Sequence, residues 1–76
     1  MSREPKKLAL LRILQLLQKL SCEGHPLTHS DIAHELKQRY GITMERKAVS
    51  RNISVLREAG YDIVSVRGGC YLRERE

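Results

Sequence analysis

The chain has no tryptophan and no phenylalanine, and its large aromatics amount to three tyrosines. Any core is therefore aliphatic, and 76 residues allow one small domain with a core near the lower limit of self-sufficiency. Long apolar runs are missing as well. The longest, Leu8–Leu11, is far short of the ~20 residues of a membrane span. Met1–Lys7 lacks the apolar centre and cleavage site of a signal peptide, so a soluble, cytoplasmic protein is expected, with no membrane partner. Cys22 and Cys70 form neither a Cys-x-x-Cys pair nor a dense disulfide framework, and both are read as free thiols. No internal repeat or low-complexity segment interrupts the chain.

Catalytic patterns are also lacking. No serine or cysteine has a recognisable His/Asp partner pattern, and no phosphate-cradling glycine loop precedes a helix. The expectation is a protein that is not an enzyme, with no catalytic residue and no cofactor. Cys22, His25, His29 and His34 fall within thirteen positions and make a chemically sensible zinc set. Their spacing matches no common zinc motif, however, and two histidines five apart share a helix face poorly, so no metal is expected.

What is there is charge, unevenly spread. The net charge is +5: residues 1–22 contribute +4, residues 23–45 contribute −2 and residues 46–76 contribute +3. Basic ends around an acidic middle suit a surface that faces a polyanion.

Apolar periodicity predicts three helices and a hairpin. Pro5 suits the first turn of a helix running to Cys22. On it Ala9, Leu10, Ile13, Leu14, Leu16, Leu17 and Leu20 span an arc of about 160°. Arg12, Gln15, Gln18 and Lys19 take the other side. Leu8 and Leu11 fall outside the arc, as ordinary surface leucines or as a second contact for a partner subunit or a further domain. Glu23-Gly24-His25-Pro26 is a turn, and Pro26–Thr28 offers a short strand edge. Thr28 is the N-cap of the second helix, with Asp31 in near capping-box position. That helix runs to about Tyr40, buries Ile32, Ala33, Leu36 and Tyr40, and stops at Gly41.

Ile42 is expected in the core and Thr43 as the N-cap of a third helix over about 44–59. Its apolar stripe is Ala48, Val49, Val55, Leu56 and Ala59, with Ile53 at the margin. Gly60 ends it. Ile63, Val64 and Val66 then form a strand, Arg67-Gly68-Gly69 a tight reversal, and Cys70, Tyr71 and Leu72 a second strand, giving a wing over about 62–72. The charged tail Arg73–Glu76 is expected to fray. Residues 1–76 are thus a single mainly α domain, a winged helix-turn-helix with three helices and a C-terminal two-stranded wing.

The outward arc of the third helix holds Arg46, Lys47, Ser50, Arg51, Ser54, Arg57 and Glu58. Cations in a first helical turn oppose the helix dipole and cost about 0.3–1 kcal/mol each. A sequence selected for stability alone places acids there. Arginine and lysine donate to guanine O6 and N7, serine reaches phosphates or bases, and small serines allow close approach to a groove floor. Arg46, Lys47, Ser50, Arg51 and Ser54 are therefore expected in a major groove. Arg57 and Arg67 are candidates for phosphate or the minor groove, and Thr28 together with the start of the second helix for the DNA backbone. Asn52 points by phase toward the buried stripe and is assigned an internal hydrogen bond. A solvated basic face is the plain alternative for the helix, and a turn arginine in solvent for Arg67.

The segments LLRILQLLQK, PLTHSDIAHEL and RKAVSRNISVLREAGYDIVSVRGGCYL resemble the N-terminal winged helix-turn-helix of bacterial DeoR-like transcriptional regulators, closest to those carrying a C-terminal WYL domain. The resemblance spans residues 8 to 72. It is most specific at Arg46–Ile53, where the family commonly reads RRTVYRDI, and at the helix end Leu56–Tyr61 and the wing Gly68–Tyr71. It implies sequence-specific binding of double-stranded DNA through Arg46, Lys47, Ser50 and Arg51, as the reading head of a transcriptional regulator. Ser50 departs from the usual tyrosine, Asn52 from the usual aspartate, and residues 37 to 45 are longer than the common tight turn. The arginine-repressor DNA-binding domain has a similar layout, but the glycine-rich wing fits the first family better. The resemblance also implies a C-terminal effector domain outside this chain, which leaves open an excised domain or a stand-alone binder; a homodimer is left open as a further partner. The rival function is a winged helix for protein–protein contact without DNA, using the Leu8/Leu11 surface or the wing.

Overall fold

The computed structural model describes residues 4–73. Its order is α1 (Ala9–Leu20), α2 (His29–Tyr40), α3 (Arg46–Glu58), β1 (Ile63–Val66) and β2 (Gly69–Leu72), a mainly helical winged-helix arrangement as the sequence predicts. Among the described residues no helix is long and apolar enough to cross a membrane.

The first helix is shorter than expected at both ends. Pro5 stands outside it, extended at φ −67° and ψ 150°, and a 3-10 turn, Lys6–Leu8, leads into α1. The entry is fixed by long-range bonds. The Glu4 amide donates to the Tyr40 carbonyl at 3.0 Å, and the Glu4 carboxylate accepts from Arg12 Nε at 2.8 Å and Nη2 at 2.6 Å. Arg12 also lies over the Tyr40 ring, 4.4 Å from its centroid, so this residue ties α1 to the end of α2. At the other end the helix stops at Leu20. The Ser21 hydroxyl donates to the Leu17 carbonyl at 2.6 Å and accepts the Leu72 amide at 3.1 Å, joining α1 to β2. Cys22 is exposed, in a bridge with His25, and Cys70 is buried; both are free thiols.

The core combines Ala9, Ile13, Leu16 and Leu17 of α1, Ile32 and Leu36 of α2, and Val49, Ile53 and Leu56 of α3. Leu27, Ile42, Ile63, Cys70 and Leu72 close it from the connections and the hairpin. Leu10, Leu20, Ala33 and Tyr40 pack against it while partly buried. Leu11 is 49% exposed.

Two expectations for α3 are corrected. Thr43 is not its N-cap: Glu45 occupies that position, extended at φ −78° and ψ 158°, without a side-chain cap. The reason is that Ile42 is buried and Met44 packs on the core, while Thr43 and Glu45 face solvent. That alternation of period two keeps the connection extended until residue 46. Val55 is not in the core but 46% exposed, and Ile53, expected at the margin, is buried. Val49, Ile53 and Leu56 share one stripe at the i, i+4, i+7 spacing, and Val55 lies about a third of a turn away from it. Ala59 is exposed and Ala48 half-buried for the same reason. The helix ends in a Schellman arrangement, with Gly60 N–H to Arg57 O at 3.0 Å and Tyr61 N–H to Leu56 O at 3.1 Å.

In the hairpin Ile63 faces Leu72 and Val66 faces Gly69, so the reversal consists of Arg67 and Gly68 alone and Gly69 belongs to β2. Leu27 adds a one-residue third strand edge: its amide and carbonyl exchange 2.8 Å bonds with those of Cys70. This close approach demands glycine at 69, where a Cβ would collide with the Leu27 carbonyl. Arg73, expected to fray, instead bonds Asp62 through its amide (2.9 Å) and its Nε (2.8 Å); residues 74–76 of the tail lie outside the described residues.

Candidate nucleic-acid interface

Two helix N-termini open on one groove. The first is that of α2, where Thr28 N–H donates to Asp31 Oδ2 at 3.0 Å and Asp31 N–H donates to Thr28 Oγ1 at 2.9 Å. This reciprocal capping box secures the start of the helix. The Thr28 backbone hydrogen bond, with help from its side chain, holds the Asp31 carboxyl below its ordinary value of 3.8.

The second is that of α3. Its first internal bond is Val49 N–H to Glu45 O, so the amides of residues 46 to 48 receive no helical partner. Glu45 supplies no side-chain cap, no acidic residue occupies the first turn, and Arg46 and Lys47 are its first two residues. The partial positive charge of the helix end and two cationic side chains are thus concentrated at one place.

Thr28, His29 and Ser30 of the α2 end and Arg46, Lys47 and Ser50 of α3 line this groove, which is open and about 420 Å³ in volume. A neighbouring groove shares Ser30, Arg46 and Lys47 and is completed by Ala33, Met44 and Glu45. The structure therefore brings together Thr28, Arg46, Lys47 and Ser50 of the residues expected from sequence. Arg51 and Ser54 continue along the exposed side of α3, outside both grooves.

Two candidates stand elsewhere. Arg67 is exposed at the hairpin tip. Arg57 turns toward the hairpin: its Nε donates to Ile63 O at 3.0 Å and its Nη2 to Ser65 Oγ at 2.6 Å. Asn52 is partly buried and bonded internally, as expected, through Nδ2 to Ala48 O at 2.8 Å and to Met44 Sδ at 3.7 Å.

Val55 is not evident as a site residue from sequence, and His29 and Ser30 are covered only by the expectation for the start of the second helix. His29 and Ser30 follow the cap directly, and that position is the signal for them: a residue just inside a helix start shares whatever the start faces. By name, His29 enters the sequence reading only in a metal set. Among the described residues no three His, Cys, Asp or Glu side chains are placed to hold a metal ion. Val55, one turn from Arg51 on the exposed side of α3, gives that side an apolar element with no core role.

Chemically, the groove can receive an anion between two helix ends, and the exposed Arg51, Ser54 and Val55 of α3 can meet polar and methyl groups beyond it. Comparison with protein-family models, with curated proteins and with solved structures finds no match.

Proposed function

We propose that this chain binds double-stranded DNA as the reading head of a cytoplasmic transcriptional regulator, similar to the bacterial DeoR-like regulators with a WYL domain. α3 enters the major groove, and the hairpin rests on backbone or minor groove. One observation carries this reading above the others: the uncapped start of α3, bearing Arg46 and Lys47, opens on the same groove as the capped start of α2. A phosphate there meets both helix dipoles and two cations, which offsets the stability that Arg46 and Lys47 cost the free helix. Ser50, Arg51, Ser54 and Val55 then lie along the side that faces base edges, and Arg67 extends the contact from the wing tip. A C-terminal effector domain and a second copy of the chain are the proposed protein partners.

Salt tests this function. Affinity for a random-sequence duplex should fall by about 0.9 log units per decade of salt for each phosphate neutralised.

A protein-contact module is the second reading, and the exposure of Leu11, Val55, Tyr61 and Val66 favours it. An apolar contact responds weakly to salt and leaves Arg46, Lys47 and Arg51 without a role.

A further inference from the structure

Arg57 belongs by helical phase to the outward arc of α3, yet its guanidinium is spent on the hairpin. Nε donates to the Ile63 carbonyl at 3.0 Å and Nη2 to the Ser65 hydroxyl at 2.6 Å. The hydrogen-bond pattern of the hairpin explains why those two acceptors are within reach. Cys70 exchanges both backbone bonds with Leu27, so the Ser65–Cys70 rung is a non-hydrogen-bonded pair. Ile63, two residues earlier, is on the same parity, and its partner Leu72 sends its amide outward to Ser21. The Ile63 carbonyl therefore points away from β2, along the otherwise open edge of β1. Arg57 covers that edge.

The two strands are thus held from opposite sides. β2 is fixed by Leu27 and Ser21, and β1 by Arg57. Bonds from an ionised donor are roughly twice as strong as neutral ones, and a guanidinium donating through two nitrogens fixes orientation as well as distance. A strand edge with one cation lying across it is also shielded from pairing with a foreign strand.

We propose that Arg57 is a positioning residue for nucleic-acid recognition: it clamps the wing to the C-terminal turn of α3 and sets where Arg67 stands relative to the recognition helix. It does not itself neutralise a phosphate. This role presupposes the proposed binding of duplex DNA.

Binding of a labelled duplex across a salt series, with wild type, Arg57→Ala, Ser65→Ala, the double variant and Arg67→Ala, separates the possibilities. Arg57→Ala should weaken binding roughly three- to tenfold at every salt concentration with the wild-type salt slope. Ser65→Ala should reproduce part of that loss, and the double variant should be no weaker than Arg57→Ala alone. Combining Arg67→Ala with Arg57→Ala in a further variant should add less than Arg67→Ala costs alone, because the tip is no longer held. A slope reduced by about 0.9 in Arg57→Ala, with no coupling to Ser65, would make Arg57 a phosphate contact and overturn the proposal. Failure of the wild type to bind any duplex at low salt refutes DNA binding instead. The clamp is then read from ¹⁵N relaxation of residues 63–69, whose order should fall in Arg57→Ala; unchanged order rejects the clamp as well.

Discussion

Gly69 and Leu27 approach so closely that a side chain on the glycine has no room: its Cβ would fall on the Leu27 carbonyl, the same carbonyl that accepts the Cys70 amide at 2.8 Å. Residue 69 is also at φ +141°, where L side chains are strained. The glycine-rich tip is therefore a packing requirement as much as a turn. Gly69→Ala is expected to destabilise by about 1–3 kcal/mol, because either the bridge to Leu27 or the hairpin register must give way. Thermal unfolding checks this. Gly24→Ala is the control, since nothing lies within 4 Å of a Cβ there, and its melting temperature should be close to that of the wild type.

The capping box makes a paired prediction. Thr28→Ala should cost about 1 kcal/mol, or roughly 4–8 °C in melting temperature for a domain of this size. Asp31 adds a pH signature. Its folded-state carboxyl titrates below the ordinary value of 3.8, so the stability it contributes is present above that pH. It is lost as pH falls through the lowered folded value. The difference in melting temperature between wild type and Asp31→Ala should be constant near neutrality and shrink below pH 3.8. Glu4 is also held low, by its hydrogen bond from Arg12, but it is common to both proteins and cancels in the difference.

The thiols should behave oppositely. Cys22 is exposed, whereas burial raises the Cys70 thiol against a smaller opposing effect of Arg57. Maleimide near neutral pH is expected to label Cys22 alone in the folded protein and both cysteines in denaturant. Labelling of Cys70 at a comparable rate under native conditions would mean that β2 opens readily.

Recognition and phosphate contacts can be told apart on a duplex selected from a random library. Arg51→Ala should lower affinity for the selected sequence by at least ~1 kcal/mol while affecting random DNA less, if it meets a base. Lys47→Ala, at the helix start, should weaken both equally and reduce the salt slope by about 0.9. An equal loss on both duplexes for Arg51→Ala would class it with Lys47.

Legibility in the sequence follows the range of the interactions. The Thr28–Asp31 box, the glycine stops at Gly41 and Gly60, and the inward turn of Asn52 are local, and spacing alone reveals them. The start of α3 was less legible because a threonine with cap chemistry competes with the anchoring of Ile42 and Met44 in the core, which only the assembled fold imposes. A shift of two residues in the helix start, together with the apolar character of exposed Val55, blurs the phase of the buried stripe of Val49, Ile53 and Leu56 in sequence. Least legible was the direction of Arg57. Phase places it among the outward cations, and only the register of a hairpin six residues further on supplies Ile63 O and Ser65 Oγ as its acceptors. The same holds for Ser21 and Leu72, fifty-one positions apart.

The most direct test follows backbone amide shifts of the isotope-labelled protein as a random-sequence duplex is added at low salt. DNA binding through α3 and the wing predicts changes clustered on residues 28–30, 46–54 and 66–69, reversed by added salt. No changes at low salt, or changes confined to the surface around Leu11, would contradict it and turn attention to a protein partner.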